Sequence, residues 1–240
     1  MADNEQAFDL TLLSNFLHQV VNPLNGVCGT LDNITSKHVP PGSVPQRLIA
    51  ARAQLEHCVA LIRNLAFLSE FTRDPDGYRE RHKNMVTTIP AVILQAAMYF
   101  QEIARRKKMN IFLVDQNTQF KVSADADLIR QVFMNLLDNC VKYGDKNSDI
   151  LVKPRIQKKS SDLIVEIINN SEPVPRDLWE RIFDLGFRGE NARQVVASGT
   201  GLGLYICRGI VSLYNGSITY TARMPEREST FTIRLPGAWI

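Results

Sequence analysis

Asn135-Leu136-Leu137-Asp138-Asn139-Cys140-Val141-Lys142-Tyr143 is the stretch on which the reading of this 240-residue chain turns. Between Asp127 and Tyr143 the apolar residues Leu128, Ile129, Val132, Phe133, Leu136, Leu137, Cys140 and Val141 recur at helical spacing. Asn135, Asn139 and Lys142 stand at i, i+4 and i+7, so they share the other face of that helix. Asparagine prefers caps and turns to helix interiors, and two of them above a lysine suggest a working face. Carboxamide oxygens suit a hard cation such as Mg²⁺, and an ammonium beside them suits the phosphates such a cation bridges. Taken alone, the same face also reads as a solvated polar stripe.

A second segment, Gly199-Thr200-Gly201-Leu202-Gly203-Leu204, lies about sixty residues downstream. Glycine at every second position lets backbone N–H groups approach a phosphate, because no side chain blocks them. The apolar run Leu202, Leu204, Ile206, Ile210 and Val211 predicts a helix after the loop, whose N-terminus favours negative charge. A glycine-spaced loop is by itself more often a plain turn. Together, the two segments favour a nucleotide site.

Composition predicts a globular protein of two domains: 45% of residues are hydrophobic and 22% charged. The formal charge of +3 is slight, so nucleic acid is not an expected partner. Arg105-Arg106-Lys107-Lys108 reads as the solvated last turn of a helix. Cys28, Cys58, Cys140 and Cys207 each fall in a helical apolar pattern without a CxxC or Cys/His cluster. They read as buried free thiols in a reducing, cytoplasmic compartment, with zinc not expected. No apolar stretch reaches the roughly 18 residues of a membrane span, and no signal peptide is visible.

The first domain, residues 7–75, reads as an antiparallel helical hairpin. Leu12, Leu13, Phe16, Leu17, Val20, Val21, Leu24, Val27, Cys28, Leu31 and Ile34 mark one helix. Val39-Pro40-Pro41-Gly42-Ser43-Val44-Pro45 breaks the chain, and a second helix follows over 46–72. Two helices cannot cover stripes this wide, so a homodimer closing a four-helix bundle is expected. Asp74-Pro75-Asp76-Gly77 reads as the turn leaving the hairpin. In the second domain, residues 84–240, strands are expected at 85–89, 110–114, 120–122, 150–157, 163–169, 216–222 and 230–235. With helices at 90–107 and 127–143, this α+β mixture of helices and antiparallel strands predicts an α/β sandwich, helices covering one face of a sheet.

The first segment resembles the N-box of bacterial sensor histidine kinases, within the GHKL ATPase superfamily. Gly199-Thr200-Gly201-Leu202-Gly203-Leu204 is similar to their second glycine box. Arg181-Ile182-Phe183-Asp184-Leu185-Gly186-Phe187-Arg188-Gly189 is similar to the F-box that anchors a lid over ATP. Phe16-Leu17-His18-Gln19-Val20-Val21-Asn22-Pro23-Leu24-Asn25-Gly26-Val27 resembles the H-box, with His18 at the phospho-accepting position. The four boxes stand in the family's order, from about residue 8 to the C-terminus.

The resemblance implies ATP and Mg²⁺ as cofactors, autophosphorylation of His18, and transfer to an aspartate of a response-regulator receiver domain. It assigns Asn139, helped by Asn135, to the metal, and Lys142, Tyr143, Gly199, Gly201, Leu202 and Gly203 to the nucleotide. Asn22, one turn past His18, matches the position that orients water for dephosphorylating the regulator. Neutral imidazole is a competent nucleophile near pH 7, and its phosphoramidate keeps high transfer potential. Pro23 cannot donate to the carbonyl of Gln19 and should bend the helix there.

The chain departs from the family pattern in three ways. Gln19 replaces an acidic residue that takes the imidazole proton, and a carboxamide is no general base; such a loss typically costs on the order of a hundredfold or more. In Ile168-Asn169-Asn170-Ser171-Glu172-Pro173-Val174-Pro175, Asn169 replaces the aspartate that accepts from the adenine amino group, while Ser171 and Pro173 replace two glycines. Asn169 still accepts through its oxygen, but without charge. A sensing region is expected before the H-box, and only a few residues precede it here, which suits a cytosolic protein or a trimmed core. The alternative is a kinase-like histidine phosphotransferase or scaffold with weak or no ATP hydrolysis.

Overall fold

The computed structural model describes residues 10–83, 85–190, 192 and 199–240. Residues 7–9, which open the expected hairpin, and Asn84, where the second domain was expected to begin, lie outside them, as does the side chain of Leu12. The chain divides into two compact units, residues 1–66 with 198–200 and residues 67–197 with 201–240.

The first unit is helical. Helix α1 (Leu10–Thr35) runs through Pro23 without ending, a 3-10 turn (Pro41–Ser43) follows Pro40, and α2 (Val44–Arg73) returns. Val20 O accepts from Cys58 Sγ at 3.6 Å, and Gly26 lies against Gln54, so partners descend as the chain ascends and the pair is antiparallel. Phe16, Val27, Ala51, Cys58 and Leu61 fill the seam. A second stripe stays exposed: Leu17, Val21, Leu24 and Leu31 on α1, with Leu48, Leu55, Val59 and Ile62 on α2. Its spacing alternates fours and threes, the pattern of a helix seam that meets further helices. Cys28 falls on that stripe and is exposed, which corrects the expectation of four buried thiols; Cys58, Cys140 and Cys207 are buried.

The second unit begins inside α2. Phe67 stacks on Phe71 with ring centroids 5.1 Å apart, and Tyr78 meets Phe67 edge-on. Tyr78 belongs to α3 (Pro75–His82), a helix where a turn was expected. Asp74 caps it, accepting from Gly77 N at 2.9 Å, and Pro75 supplies the preset φ of the first helical position. The same four residues make a good turn or a good helix start, and the aromatic packing decides for the helix.

Beyond it come β1 (Val86–Thr88), α4 (Ile89–Arg106), β2 (Asn110–Leu113), β3 (Lys121–Ser123), α5 (Ala126–Tyr143), β4 (Asp149–Gln157), β5 (Asp162–Asn170), α6 (Gly203–Leu213), β6 (Ser217–Arg223) and β7 (Glu228–Leu235). Strands β1 and β3 pair separately; the main sheet has the order β2-β4-β5-β7-β6. Its pairings are antiparallel except β2 with β4, which is parallel and corrects the all-antiparallel expectation. The connection between those strands is a helical crossover, the usual link for a parallel pair.

Register lines up Val152, Ile167, Phe231 and Tyr220 on one face, all buried, and Lys153, Glu166, Thr232 and Thr219 on the other. Helices α4, α5 and α6 bring the buried stripes that cover the apolar face. The result is a two-layer α/β sandwich. No described helix is long and apolar enough to cross a membrane.

Candidate functional site

Helix α5 carries the site, and its start is strongly specified. Asp125 caps it, accepting from Asp127 N at 2.7 Å and Leu128 N at 3.4 Å. The other carboxylate oxygen meets His82 Nδ1 at 2.7 Å, and Asp125 N donates to Tyr214 OH at 3.0 Å. Its end is held by a residue that sequence reasoning placed in solvent. Lys107 Nζ donates to the carbonyls of Val141 at 2.5 Å and Lys142 at 2.8 Å, so an ammonium sits at the negative end of the helix. Burial, with Lys146 nearby, pulls the Lys107 pKa down. Arg105, Arg106 and Lys108 are exposed as expected; Lys107 is not.

With both ends fixed, the apolar stripe is buried and the polar face turns toward the glycine loop. Asn135 and Asn139 are half-buried, one turn apart. Asn135 Nδ2 donates to Gly203 O at 3.4 Å, which joins the two sequence segments in space. Lys142 forms an ion pair with Asp138, one turn earlier, and Tyr143 is half-buried. The loop enters α6 through buried Leu202, which has no side-chain hydrogen bond to offer as a cap. Gly201 has φ +69°, and a Cβ there would lie 2.6 Å from Gly186 C and 2.8 Å from Phe187 O. The loop is thus wedged against the turn at Gly186, itself at φ +72°. Gly203 is the loop residue that meets α5; Gly199 is half-buried and groups with the first unit.

The turn beneath Gly201 is fixed by buried Ile182 and Phe183. Arg208 lies over the Phe183 ring and pairs with Asp184 at 3.1 Å, while Arg181 lies over Phe187. Residues 191 and 193–198, beyond it, lie outside the described residues.

At the far end of α5 stands Asn169, 4% exposed. Its Oδ1 accepts from Cys140 Sγ at 3.5 Å, and its Nδ2 donates to Asn170 O at 3.3 Å. Burial pushes the Cys140 thiol up to about 12, so it stays protonated and donates. Gly144 closes this corner, because a Cβ there would lie 2.3 Å from Cys140 O and 2.6 Å from Met109 Cε. Asp145 N donates to Asn170 O at 2.8 Å, and Ser171 bridges to Gly144. Arg227 clasps both oxygens of Asp145 and reaches Glu172 at 2.8 Å. Neither Lys107 nor Arg227 carries a local signal; each acts on a segment remote in sequence.

The remaining candidates belong to the first unit. His18 and Asn22 are exposed one turn apart on α1. Gln19 is half-buried, and its Nε2 is buried with no hydrogen-bond partner among the described residues.

This set, a polar helix face, a glycine loop at a second helix and a polar corner at the end of a strand, is that of a nucleotide-binding sandwich. Residues 124–238 match the family described as histidine kinase-, DNA gyrase B- and HSP90-like ATPases. Sensor protein KdpD of Clostridium acetobutylicum is 29% identical over 209 residues, 86% of this chain and 22% of KdpD. Among solved structures, the catalytic domain of histidine kinase ThkA superposes with a TM-score of 0.55 at 27% identity, covering 63% of this chain and 94% of that one. Histidine kinase ThkA in complex with response regulator protein TrrA shares the fold over 94% of this chain and 61% of that one, at 21% identity and a TM-score of 0.53. Residues 124–238 thus carry that ATPase family's domain, and the chain is similar to the catalytic core of bacterial sensor histidine kinases. It spans between 22% and 56% of the length of the first curated relatives it matches.

Proposed function

We propose that this chain binds Mg·ATP, phosphorylates itself on His18 and passes the phosphoryl group to an aspartate of a response-regulator receiver domain. The observation that carries this reading is the junction of Asn135 with Gly203, which sets hard carboxamide donors beside a loop stripped of side chains. The fit to the ligands is chemical. Asn139, with Asn135, suits Mg²⁺, and Gly201, Leu202, Gly203 and the uncapped start of α6 suit the triphosphate, with Gly199 and Lys142 adding to its hold. Tyr143 and Asn169 would hold the base. Mg²⁺, when bound, neutralises phosphate charge; positioning and that neutralisation supply most of the acceleration.

The imidazole of His18 attacks the γ-phosphorus, the new P–N bond forms as the bond to ADP breaks, and the imidazole proton leaves. Gln19 cannot take that proton, so water does, and the reaction is slow. Asn22 orients water for the reverse task, hydrolysis of the phosphorylated regulator. The exposed stripe on α1 and α2 supports a homodimer, two copies completing a four-helix bundle. Free thiols at Cys28, Cys58, Cys140 and Cys207 support a cytoplasmic location. The ThkA–TrrA complex supports a receiver domain as partner.

Gln19, Ser171 and Pro173 favour a second reading, a phosphotransferase that relays phosphate between regulators. Incubation with labelled Mg·ATP separates the two. Acid-labile label that both His18→Ala and Asn139→Ala abolish supports the kinase. ATP binding without label favours a kinase disabled at Gln19, and no binding at millimolar nucleotide refutes the kinase and leaves the relay.

A further inference from the structure

We propose that the base end of this site selects its purine loosely, accepting guanine as well as adenine nucleoside triphosphates, and that Asn169 is the residue responsible. The inference rests on the nucleotide reading above. Helix α5 acts as a ruler: Asn135 faces Gly203 at one end, and Gly144 stands beside Asn169 at the other. The nine residue steps from Asn135 to Gly144 span about 13 Å at the helical rise. A nucleoside triphosphate carries its phosphates at one end and its base at the other. With the phosphates on the glycine loop, the base falls at Asn169.

The chemistry of that corner is set by what Asn169 has left to offer. Its Oδ1 spends one lone pair on the Cys140 thiol, and its Nδ2 spends one hydrogen on Asn170 O. One acceptor and one donor remain. Gly144 keeps the neighbouring wall low, since even a Cβ there would come within 3.5 Å of Nδ2. Adenine presents an amino donor beside the N1 acceptor; guanine presents the O6 acceptor beside an N1–H donor. A carboxylate in this place only accepts, so it welcomes the adenine amino group and repels guanine O6. A carboxamide offers one of each and complements either edge, a half-turn about Cβ–Cγ exchanging the two atoms.

The half-turn sets Oδ1 against Asn170 O, two acceptors, and so gives up that one hydrogen bond, but it leaves neither neighbour without a partner. Asn170 O also accepts from Asp145 N at 2.8 Å. The Cys140 sulfur is a weak acceptor as well as a donor. A buried site built to hydrogen-bond one group rejects an analogue lacking it by a factor on the order of ten thousand. Here that rejection is weakened to the loss of one neutral hydrogen bond, the contact with Asn170 O, because the free amide atoms of Asn169 pair with either purine edge.

The test is displacement of a fluorescent ATP analogue from the full chain by ATP and by GTP, at pH 8 with Mg²⁺, for wild type, Asn169→Asp and Asn169→Ala. We expect wild-type affinities for the two nucleotides within about tenfold of each other. Asn169→Asp, nearly isosteric, should widen the ratio in favour of ATP by at least about tenfold, while Asn169→Ala weakens both and brings the ratio toward one. A wild-type preference for ATP beyond about a thousandfold, or an unchanged ratio in Asn169→Asp, overturns the proposal and leaves the nucleotide site standing. Failure of the analogue itself to bind overturns the site and this inference together.

Discussion

Gly201 and Gly203 look alike in sequence, two glycines of one loop, yet the structure predicts opposite consequences for replacing them with alanine. At Gly201 the backbone has φ +69°, where an L-residue with a Cβ costs about 1–2 kcal/mol. The added carbon would also lie 2.6 Å from Gly186 C, 2.8 Å from Gly186 O and 2.8 Å from Phe187 O. All three are backbone atoms, so no rotamer change relieves them. Either the loop or the turn at Gly186 must move, and overpacking of this kind costs about 1–3 kcal/mol. Gly201→Ala should therefore destabilise the second unit by about 2–5 kcal/mol, the sum of those two costs.

Gly203 opens α6, and its added Cβ would meet Asn135 at 3.7 Å, an ordinary contact. There alanine should leave folding unchanged or raise stability by up to about 1 kcal/mol. What it removes is the close approach of a phosphate to the backbone. Urea unfolding followed by fluorescence of Trp179 and Trp239, both in the second unit, measures the first effect, and displacement of a fluorescent ATP analogue measures the second. Gly201→Ala should lose stability, and Gly203→Ala should keep it and lose affinity. A wild-type urea midpoint for Gly201→Ala refutes the wedge. Wild-type affinity in Gly203→Ala refutes the loop as the phosphate contact.

Lys107→Met keeps the length of the side chain but strips two carbonyls at the end of α5 of their donor. It should cost about 1–3 kcal/mol in urea unfolding, with faster amide exchange at the last turn of α5. Stability should be level up to about pH 9 and fall above it, as urea midpoints across pH 7–10.5 would show. Burial holds the Cys140 thiol at about 12 and Tyr78 and Tyr214 at about 12, against ordinary values of 9.0 and 10.0, and raises Cys207 too, so the unfolded chain loses these protons first. Lys107 works in the opposite sense, its depressed pKa favouring the folded state as pH rises toward 10.5, but one lysine is set against five acids, since burial raises Cys58 as well. Cys140→Ala should flatten the alkaline fall.

Where local pattern and tertiary packing agree, the sequence was sufficient. Helix α5 is such a case: an aspartate cap, an apolar stripe at period 3.6 and a polar face all point the same way. Strands β4, β6 and β7 were legible because burial alternates along them, which writes a period of two into the chain. Helix α3 was not, since Asp74-Pro75 starts a turn or a helix equally well and the deciding contacts come from Phe67 and Phe71. The parallel pairing of β2 with β4 was not either, because four residues at a sheet edge carry no mark of direction. Lys107 sat in a run of four basic residues, and nothing local says which one folds back onto a helix end 34 positions away.

The same limit bears on how the departures from the family pattern are judged. Read as a string, Ser171 and Pro173 are lost glycines. In the fold, Ser171 Oγ donates to Ser229 Oγ at 2.8 Å, and Ser229 meets Tyr220 OH at 2.8 Å. The Tyr220 hydroxyl in turn accepts from Val174 N at 3.3 Å, and Val174 O accepts from Trp179 Nε1 at 2.9 Å. Glycine at 171 would remove a hydroxyl from this buried chain and leave its neighbours short of a partner, at a cost that desolvation makes larger than one ordinary hydrogen bond. Pro173 has no N–H to satisfy and a fixed φ. The loop beside Asn169 is thus a rigid, internally bonded course, and it is separate from the loop at Gly201 and Gly203 to which the proposal gives the phosphates. A decayed site would be expected to lose its polar contacts; here the hydroxyls of Tyr220 on β6 and Ser229 on β7 hold the loop in place, which favours the proposed nucleotide site over a decayed one.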